Sequence, residues 1–324
     1  FCTLYFVVVM SPRAMWTSGD LWRQSLLEGL FAAPTSAGVL FSMLAAAGLS
    51  ATWLFQKARV LAIFDDLHTI LLLIPLKMLL IGLHWQLAAI ALIIVGLLWV
   101  AWHHLNSLKA PVTWPWILGY SVGIMLLSEL VYWGSKRVDP AMPIHLEVLL
   151  PAFALGCILK PLHKQDSIHT ASEERVGTII SACFMVLVGL SMPPIRGSAP
   201  GAEAGTFSFA GISPETLAEK NAFPGWGVIA LHVVAVTLLS NLGKMFPALC
   251  YRREVSLRQR LALAVGMFPR GEVGAGVLVI ALSYGISGAT LTVAVLSLTL
   301  NLVCTGFFIV IVRKLISEPL PRGA

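Results

Sequence analysis

Two adjacent aspartates, Asp65 and Asp66, interrupt an otherwise apolar run of the sequence. A charged residue at the centre of a membrane-spanning helix costs roughly 2.5–3.5 kcal/mol on insertion scales, and such residues usually mark ion or proton pathways. Two neighbouring carboxylates also disfavour each other's ionisation. The pair therefore predicts a site that handles protons or ions. A simpler interpretation, in which both carboxylates cap the helix at the membrane edge, stays open because Lys57 and Arg59 leave the start of the helix uncertain.

Three further charges lie in apolar segments and are candidate partners for the aspartates. Lys244 is predicted near the middle of the segment 226–249, where it needs a partner inside the membrane. Arg270 and Glu272 form a charge pair in a later segment, two residues apart, so they do not face each other on a regular helix. With the two aspartates, the acids exceed the bases by one negative charge when all are ionised. A cavity with that surplus suits one small cation, or protons in its place.

Two of the predicted helices are interrupted by helix-breaking residues. The stretch 33–38 contains Pro34, and the stretch 266–272 contains Pro269 and Gly271. Proline removes a backbone donor and glycine tolerates non-helical dihedral angles, so both stretches are predicted to be unwound. Interrupted helices in two halves of a membrane protein point to a transporter's binding site. For each break taken alone, an ordinary proline kink is the competing interpretation.

The composition predicts an all-α polytopic membrane protein. Of the 324 residues, 57% are hydrophobic and 12% are charged, whereas about a quarter are charged in soluble domains. Segments of about 20 apolar residues indicate nine or ten transmembrane helices in a single domain, 1–324. We expect the first helices of the domain to precede this sequence. The predicted spans are 1–10 (partial), 27–47, 54–76, 79–103, 112–133, 144–161, 176–193, 226–249, 257–286 and 288–312.

The charge distribution excludes a nucleic-acid-binding role and gives an orientation. The net charge of +6 comes from short loops, such as the one holding Arg252 and Arg253, rather than from one basic face. Basic residues concentrate on alternate loops, so we expect the C-terminus in the cytoplasm, whereas 196–222 forms a polar loop on the opposite side. The five cysteines show no paired spacing. Neither a nucleophile nor a metal motif is present in the sequence, so no enzyme activity and no cofactor is predicted.

Several features of the sequence, in order, resemble the monovalent cation–proton antiporter superfamily. The segment Gly266–Gly274 resembles its PRGE segment, and Asp65 with Asp66 resembles its double-aspartate motif. The other matching features are the threonine-containing break at Pro34, Thr35 and Ser36, the helix Thr178–Met192, and Lys244 at the position of the core lysine. Two departures are His68 after the aspartate pair and the lack of a proline after the threonine break.

The resemblance implies a sodium/proton antiporter-like fold, in which two broken helices cross in a core bundle that moves against a dimerisation bundle. It further implies a homodimer in the cell (inner) membrane. Asp66 is then the principal carrier of Na⁺ or a proton, Asp65 pairs with Lys244 when the site is empty, and Thr35 and Ser36 add oxygen ligands.

The resemblance leaves the transported cation open. Because electroneutral relatives commonly carry Asn at the first aspartate position, Asp65 suggests electrogenic exchange of Na⁺ for protons. A K⁺–proton antiporter of the same superfamily, with Li⁺ as a further competing ion, is the nearest alternative. A non-transporting membrane subunit or sensor that keeps the fold is the alternative from another class.

Overall fold

A computed structural model describes most of the chain. The described residues are 1–81, 85–105, 107–111, 113–138, 148–161, 225–286 and 288–317, with isolated helical residues between 176 and 190. The predicted span 176–193 is therefore described only at those isolated residues, and the predicted polar loop 196–222 lies outside the described residues. Every charged residue that the sequence places in the candidate site is described.

The chain divides into two compact units. The first unit contains residues 1–69 and 180–324, and the second contains residues 70–179. The boundary falls inside one long helix, α4 (Trp53–Ile81), whose first half belongs to the first unit. All of the candidate site residues lie in the first unit.

The first predicted break lies in the first part of this unit, between helices α2 and α3. A short helix α1 (Cys2–Tyr5) continues into a π-helical turn at Phe6–Met10, and a 3₁₀ turn at Arg13–Met15 precedes α2 (Gly19–Leu30). Residues 31–36 are not helical, and α3 (Ala37–Ala46) follows. Ser36 caps α3, because its hydroxyl accepts a hydrogen bond from the backbone N–H of Val39.

The second half of this unit repeats the pattern of a broken helix. Helix α8 (Trp226–Gly243) leads through a 3₁₀ turn at Phe246–Ala248 to α9 (Leu257–Gly266). After a non-helical stretch at 267–271, α10 (Glu272–Ser283) completes the second broken helix. The remaining helices are α11 (Ala289–Val303) and α12 (Thr305–Ser317).

Two predicted spans differ from the observed helices. The predicted span 226–249 agrees with the candidate membrane span Trp226–Ala248, but the regular helix α8 within it ends at Gly243 and a 3₁₀ turn follows. Pro247 has no N–H to donate to the carbonyl of Gly243, so the α-helix cannot continue there. Lys244 is therefore the residue that caps α8, not a residue of a regular helix. The span 288–312 is bent by 48° between α11 and α12. Gly306 follows that bend, and glycine has a low helix propensity.

The core of the first unit has an apolar cluster and a polar seam. The apolar cluster joins α3, α4, α9 and α12 through fully buried side chains such as Leu40, Leu44 and Leu263. The seam joins α8 and α11, where Asn301 Nδ2 donates to Asn241 Oδ1 at 2.9 Å. Buried polar groups of this kind are tolerated inside a membrane protein when other protein groups satisfy them.

The second unit contains the second half of α4, α5 (Trp85–His103), α6 (Trp114–Val138) and α7 (Leu149–Ile158). Helix α7 packs against both α5 and α6. A three-residue parallel strand pair, β1 (Leu108–Ala110) with β2 (Leu159–Pro161), is the one departure from all-helical structure among the described residues.

Helices suited to crossing a membrane are present, as predicted from composition. By length and hydropathy, the described residues contain two such helices, Trp114–Arg137 and Trp226–Ala248, and the bent pair α11–α12 makes a third. The sequence predicted nine or ten spans. A broken span divides into helices that are shorter than a membrane-spanning helix, and α4 carries five charged side chains. The test of length and hydropathy therefore does not identify these predicted spans as membrane-spanning helices. The all-α membrane fold is confirmed, and the non-helical stretches at 31–36 and 267–271 agree with the two predicted breaks.

Candidate ion-binding site

The two helix breaks meet and hold each other through hydrogen bonds. The backbone N–H of Ser36 donates to the carbonyl of Pro269 at 2.9 Å, and the Ser36 hydroxyl donates to Glu272 Oε2 at 2.8 Å. The hydroxyl of Thr35 lies 3.2 Å from the carbonyl of Met267. Unwound backbone at membrane depth survives only where other groups satisfy it. Each break here supplies partners for the other.

The breaks approach so closely that glycine is required at the contact. A Cβ atom on Gly271 would lie 2.5 Å from Ser36 Oγ and 2.7 Å from Ser36 Cβ. On the next turn, a Cβ atom on Gly274 would lie 2.8 Å from the carbonyl oxygen of Phe31. Atoms this close must shift, and backbone cannot move aside as a flexible side chain can.

We expect Gly271→Ala to lower the thermal unfolding temperature and to weaken ion exchange. The added methyl group overlaps Ser36 and forces the breaks apart, and overpacking of this kind typically costs about 1–3 kcal/mol. Differential scanning fluorimetry in detergent measures the stability. Gly276→Ala is the matched control, because a Cβ atom at Gly276 meets nothing within 4 Å. Equal unfolding temperatures for the two variants would contradict the close crossing.

The ammonium group of Lys244 lies in a cluster of oxygen atoms beside the crossing. Its Nζ is 2.5 Å from Asp65 Oδ2 and 3.1 Å from Thr35 Oγ1, and it donates to the carbonyl of Ala33. These oxygens come from α4 and from the first break. The end of α8 at Gly243 brings Lys244 to this point.

Asp65 is fixed by both its side chain and its backbone. The hydroxyl of Thr35 donates to Asp65 Oδ2 at 2.8 Å, so that one carboxylate oxygen has both Lys244 and Thr35 as partners. One turn along α4, Thr69 Oγ1 donates to the carbonyl of Asp65 at 2.8 Å. His68 is exposed, and its Nδ1 lies 2.7 Å from the carbonyl oxygen of Phe64.

Asp66 follows Asp65 on α4 but has a different environment. Consecutive residues of an α-helix point about 100° apart, so the two carboxylates are not equivalent. Asp66 Oδ1 is buried and has no hydrogen-bond partner among the described residues. A buried carboxylate oxygen without a partner carries a desolvation penalty, which a cation or a proton would relieve.

A partly open cavity of about 390 Å³ reaches the Lys244–Asp65 pair. Its walls come from the end of α8, the end of α2 and the start of the described chain, and they include Cys2, Ala33, Leu239 and Asp65. Both charged groups of the ion pair line the cavity, whereas Asp66 does not. The Lys244–Asp65 pair is therefore accessible from this cavity.

Arg270 does not pair with Glu272. The Arg270 side chain is fully buried, and its guanidinium donates to the carbonyls of Ala32, Pro34 (3.3 Å) and Ser240 (2.8 Å). Its partners therefore lie on the first break and on α8. The Glu272 carboxylate instead accepts from the Ser36 hydroxyl of the first break.

Glu28 is a buried carboxylate that the sequence reasoning missed. It is 2% exposed, and Thr290 Oγ1 donates to its Oε1 at 2.7 Å. An isolated acid in the apolar run 26–31, just before the first break, is the sequence signal that could have identified it. With Glu28 included, the acids in these segments outnumber the bases by two rather than by one.

A polar contact at the surface fixes the start of α4, the helix that carries the aspartates. Lys57 Nζ lies 3.0 Å from Glu254 Oε2 and 4.8 Å from the centre of the Tyr251 ring, and the Trp53 indole donates to Glu254 at 3.1 Å. The hydrogen bonds from Lys57 and Trp53 hold the pKa of Glu254 below its usual range. This contact links α4 to the loop before α9.

The donor set around the aspartates consists of oxygen atoms. Among the described residues, no group of three or more His, Cys, Asp or Glu side chains is arranged to hold a metal ion. Carboxylate, hydroxyl and carbonyl oxygens are the ligands that hard cations take. The site is therefore suited to a hard cation or a proton rather than to a transition metal.

Comparison with known proteins gives the family. The model of the family described as sodium/hydrogen exchanger, transmembrane, matches residues 2–314. No match was found among curated proteins. The family match covers nearly the whole chain and includes both helix breaks, the aspartate pair and Lys244. It is a family of transporters rather than a class of enzymes. The chain therefore belongs to the sodium/hydrogen exchanger family, whose members are integral membrane proteins that exchange cations for protons.

Proposed function

We propose that this protein exchanges Na⁺ for protons electrogenically, with Asp66 as the principal carrier and Asp65 and Lys244 as a pair that opens when the cation arrives. One observation carries the proposal. The Lys244 ammonium, itself a monovalent cation, is held by three oxygens at the helix crossing: Asp65 Oδ2, Thr35 Oγ1 and the carbonyl of Ala33. A dehydrated Na⁺ can take the same ligands.

In this proposal, Asp66 supplies a further oxygen ligand for Na⁺, in addition to the oxygens that contact Lys244. Na⁺ needs several oxygen ligands at short distance, by analogy with other oxygen-bound cations. Asp66 directly follows Asp65 in the sequence, and its Oδ1 has no hydrogen-bond partner among the described residues. In the proposed cation-bound state, Asp66 contributes this oxygen, and Thr35 and Ser36 contribute hydroxyl or carbonyl oxygens from the break.

Protons and Na⁺ compete because both satisfy the same negative charges. When Na⁺ binds, it displaces the Lys244 ammonium from Asp65, and Lys244 and Asp66 release protons. When protons bind, Asp66 becomes neutral and Lys244 returns to Asp65. The C-terminal end of α9 and the N-terminal end of α10 point toward the crossing, and their dipole ends offset part of the local charge.

Alternating access would come from movement of the core bundle against the rest of the protein. We propose that Arg270 and Glu272 tie the two breaks together so that the bundle moves as a body. Pro34, Pro269 and Gly271 keep the breaks unwound. The single transmembrane domain, the homodimer, the cell (inner) membrane and the cytoplasmic C-terminus are parts of the same proposal.

Voltage tests the electrogenic stoichiometry. If two protons exchange for one Na⁺, each cycle moves one net charge, and 100 mV is worth about 2.3 kcal/mol per charge, or about fifty-fold in the exchange equilibrium. We expect an imposed potential to drive Na⁺ gradients in proteoliposomes that contain the wild-type protein. In Asp65→Asn that voltage dependence should disappear, whereas Asp20→Asn, which changes an exposed carboxylate, should retain it. Wild-type exchange indifferent to voltage would refute electrogenic exchange.

Ion competition tests the cation. Adding Na⁺, Li⁺ and K⁺ in turn to the same proteoliposomes, with a pH-sensitive dye inside, measures which ion moves protons. We expect responses to Na⁺ and Li⁺. A response to K⁺ alone would replace the proposal by K⁺–proton exchange. No response to any of the three ions by folded protein would favour a non-transporting subunit or sensor.

A further inference from the structure

We propose that one buried water molecule lies between helices α8 and α11, where it bridges the hydroxyl of Thr237 and the side-chain amide of Asn301, and that this site positions Lys244. Two buried polar atoms of the seam between these helices, which the exchange mechanism does not use, carry the proposal. The water site is independent of transport, whereas its effect on exchange rests on the proposed function.

Two side-chain contacts determine how α8 and α11 face each other. The Ser297 hydroxyl donates to the carbonyl of Val233 at 3.2 Å. Further along both helices, Asn301 Nδ2 donates to Asn241 Oδ1 at 2.9 Å. Because both contacts advance in the same chain direction, the helices run parallel. Thr237 and Asn301 each lie four residues, about one helical turn, after the first contact, so they are at about the same level of the seam.

Thr237 and Asn301 each have a buried atom without a hydrogen-bond partner. Thr237 is 6% exposed and Asn301 is 1% exposed. In the part of the chain that the structure describes, neither Thr237 Oγ1 nor Asn301 Oδ1 has a partner. The two atoms therefore do not bond each other directly, although their side chains lie on facing helices. Leaving such groups unsatisfied destabilises a folded protein, so a molecule that bridges them is favoured.

The backbone does not satisfy the Thr237 hydroxyl. A helical threonine can donate to the carbonyl four residues earlier, which for Thr237 is the carbonyl of Val233. That carbonyl accepts from Ser297 of α11, and within the helix it also accepts the backbone N–H of Thr237. A carbonyl oxygen has two lone pairs, and both are then in use. The hydroxyl of Thr237 is thus available for a partner in the seam.

The seam is suited to a water molecule rather than to an ion. The side chains at these contacts are neutral: Thr237, Asn241, Ser297 and Asn301. An ion without a compensating charge is costly to bury. A hard cation also takes about six or more oxygen ligands, whereas the described part of the seam has two atoms without partners. A buried water needs about two to four polar partners, and it can accept from Thr237 while it donates to Asn301.

The seam holds the part of α8 that ends at the ion pair. Lys244 follows Gly243, the last residue of α8, and its ammonium lies 2.5 Å from Asp65 Oδ2. Asn241 of the seam lies three residues before Lys244. Loss of the water bridge loosens α8 against α11 and so weakens the contact of Lys244 with Asp65. Na⁺, which competes with Lys244 for Asp65, then displaces it at a lower concentration.

A wild-type structure in lipid nanodiscs, at a resolution at which ordered waters are visible, tests the site directly. We expect a single density between α8 and α11, within about 2.7–3.2 Å of both Thr237 Oγ1 and the Asn301 amide. The proposal would be overturned by the lack of this density in a map that shows other buried waters. A direct hydrogen bond between Thr237 and Asn301, or a density with the many short oxygen contacts of a cation, would overturn it as well.

Thermal unfolding in detergent tests the bridge by a double-mutant cycle. Thr237→Val keeps the shape of the side chain and removes the hydroxyl, and Asn301→Leu removes the amide. We expect the double variant to lower the unfolding temperature by less than the sum of the single variants, because the second substitution finds the bridge already broken. Thr299→Val, which removes an exposed hydroxyl bonded within α11, should instead be additive with Asn301→Leu. Additive effects of Thr237→Val and Asn301→Leu would contradict the bridge.

Exchange kinetics in proteoliposomes test the positioning of Lys244. We expect Thr237→Val to lower the KM for Na⁺ by roughly two- to tenfold, the equilibrium factor of one hydrogen bond. A mere loss of folded protein would lower the maximal rate and leave KM unchanged. Thr237→Ser, which keeps the hydroxyl, and Thr299→Val should retain the wild-type KM. An unchanged KM in active Thr237→Val protein, or equal shifts in Thr237→Val and Thr237→Ser, would overturn the positioning role.

Failure of the water site and failure of the proposed function are distinguishable. If no cation drives exchange by the wild-type protein, the proposed function fails, and the density and the unfolding temperatures still decide whether the water site exists. If Thr237→Val does not fold, Thr237→Ala, which also lacks the hydroxyl, replaces it in both sets of measurements.

Discussion

Asp66→Asn should abolish Na⁺-dependent proton movement in proteoliposomes, to the level of protein-free liposomes. Asparagine has nearly the same shape as aspartate, but it neither carries a negative charge for Na⁺ nor releases a proton. Because Asp66 Oδ1 is buried and has no hydrogen-bond partner among the described residues, the substitution removes the proposed carrier with little change in volume. We expect the exchange rate to fall by at least about a hundredfold. Among the described site residues, no other buried carboxylate has an oxygen without a partner that could replace Asp66 as the carrier.

A second measurement separates loss of transport from loss of folding. Na⁺ that binds the folded protein raises its unfolding temperature in proportion to the logarithm of its concentration. We expect this shift in the wild-type protein and in Asp20→Asn, and its absence in a monodisperse Asp66→Asn protein. Wild-type exchange rates in Asp66→Asn would overturn the assignment of Asp66 as the carrier. In that case Asp65, which already has Lys244 as its partner, becomes the carrier.

Arg270→Met should destabilise the protein more than any other single substitution considered for the core. The guanidinium satisfies three backbone carbonyls, those of Ala32, Pro34 and Ser240, and the side chain is fully buried. Methionine fills similar volume but donates no hydrogen bond. Leaving a buried acceptor unsatisfied costs about 1–3 kcal/mol, so three such groups cost about 3–9 kcal/mol, which is comparable to the whole stability of a typical domain, 5–15 kcal/mol.

The expected result for Arg270→Met is a low yield of monodisperse protein or a large fall in unfolding temperature. Arg23→Met is the matched control, because Arg23 forms an exposed pair with Asp20, and exposed pairs contribute little. Arg270→Lys should be intermediate, since a lysine keeps the charge but cannot reach carbonyls on both the first break and α8 with a planar group. An unfolding temperature of Arg270→Met equal to that of Arg23→Met would show that the carbonyls have other partners.

The two buried cations of the core share one stretch of backbone. Arg270 donates to the carbonyls of Ala32 and Pro34, and Lys244 donates to that of Ala33. Three consecutive carbonyls of the first break thus have cationic partners. Arg270 is fixed by its three acceptors, whereas Lys244 faces a cavity and an acid. This difference supports the proposal that Arg270 has a structural role and that Lys244 gives way to the transported ion.

The amino-acid sequence by itself determined the class of protein and the positions of its irregular backbone. An apolar composition with few charges requires a membrane environment, and this property is independent of tertiary contacts. The breaks at Pro34 and at Pro269 with Gly271 follow from local backbone chemistry, which acts within a few residues. The structure has non-helical backbone at both places, although the first break lies at 31–36 rather than at 33–38, because α3 already begins at Ala37.

Only the tertiary structure decided which buried charges meet. The Lys244–Asp65 contact joins residues 179 positions apart, and the Arg270–Ala32 and Glu28–Thr290 contacts span 238 and 262 positions. The sequence suggested the first of these pairs. It indicated that Arg270 and Glu272 do not face each other on a regular helix but did not identify their partners, and it missed Glu28. Composition and local propensity show that a buried charge needs a partner, but they do not identify it. The partner depends on how helices distant in sequence pack, and that packing brought Lys244 to Asp65 and left Glu28 with the hydroxyl of Thr290.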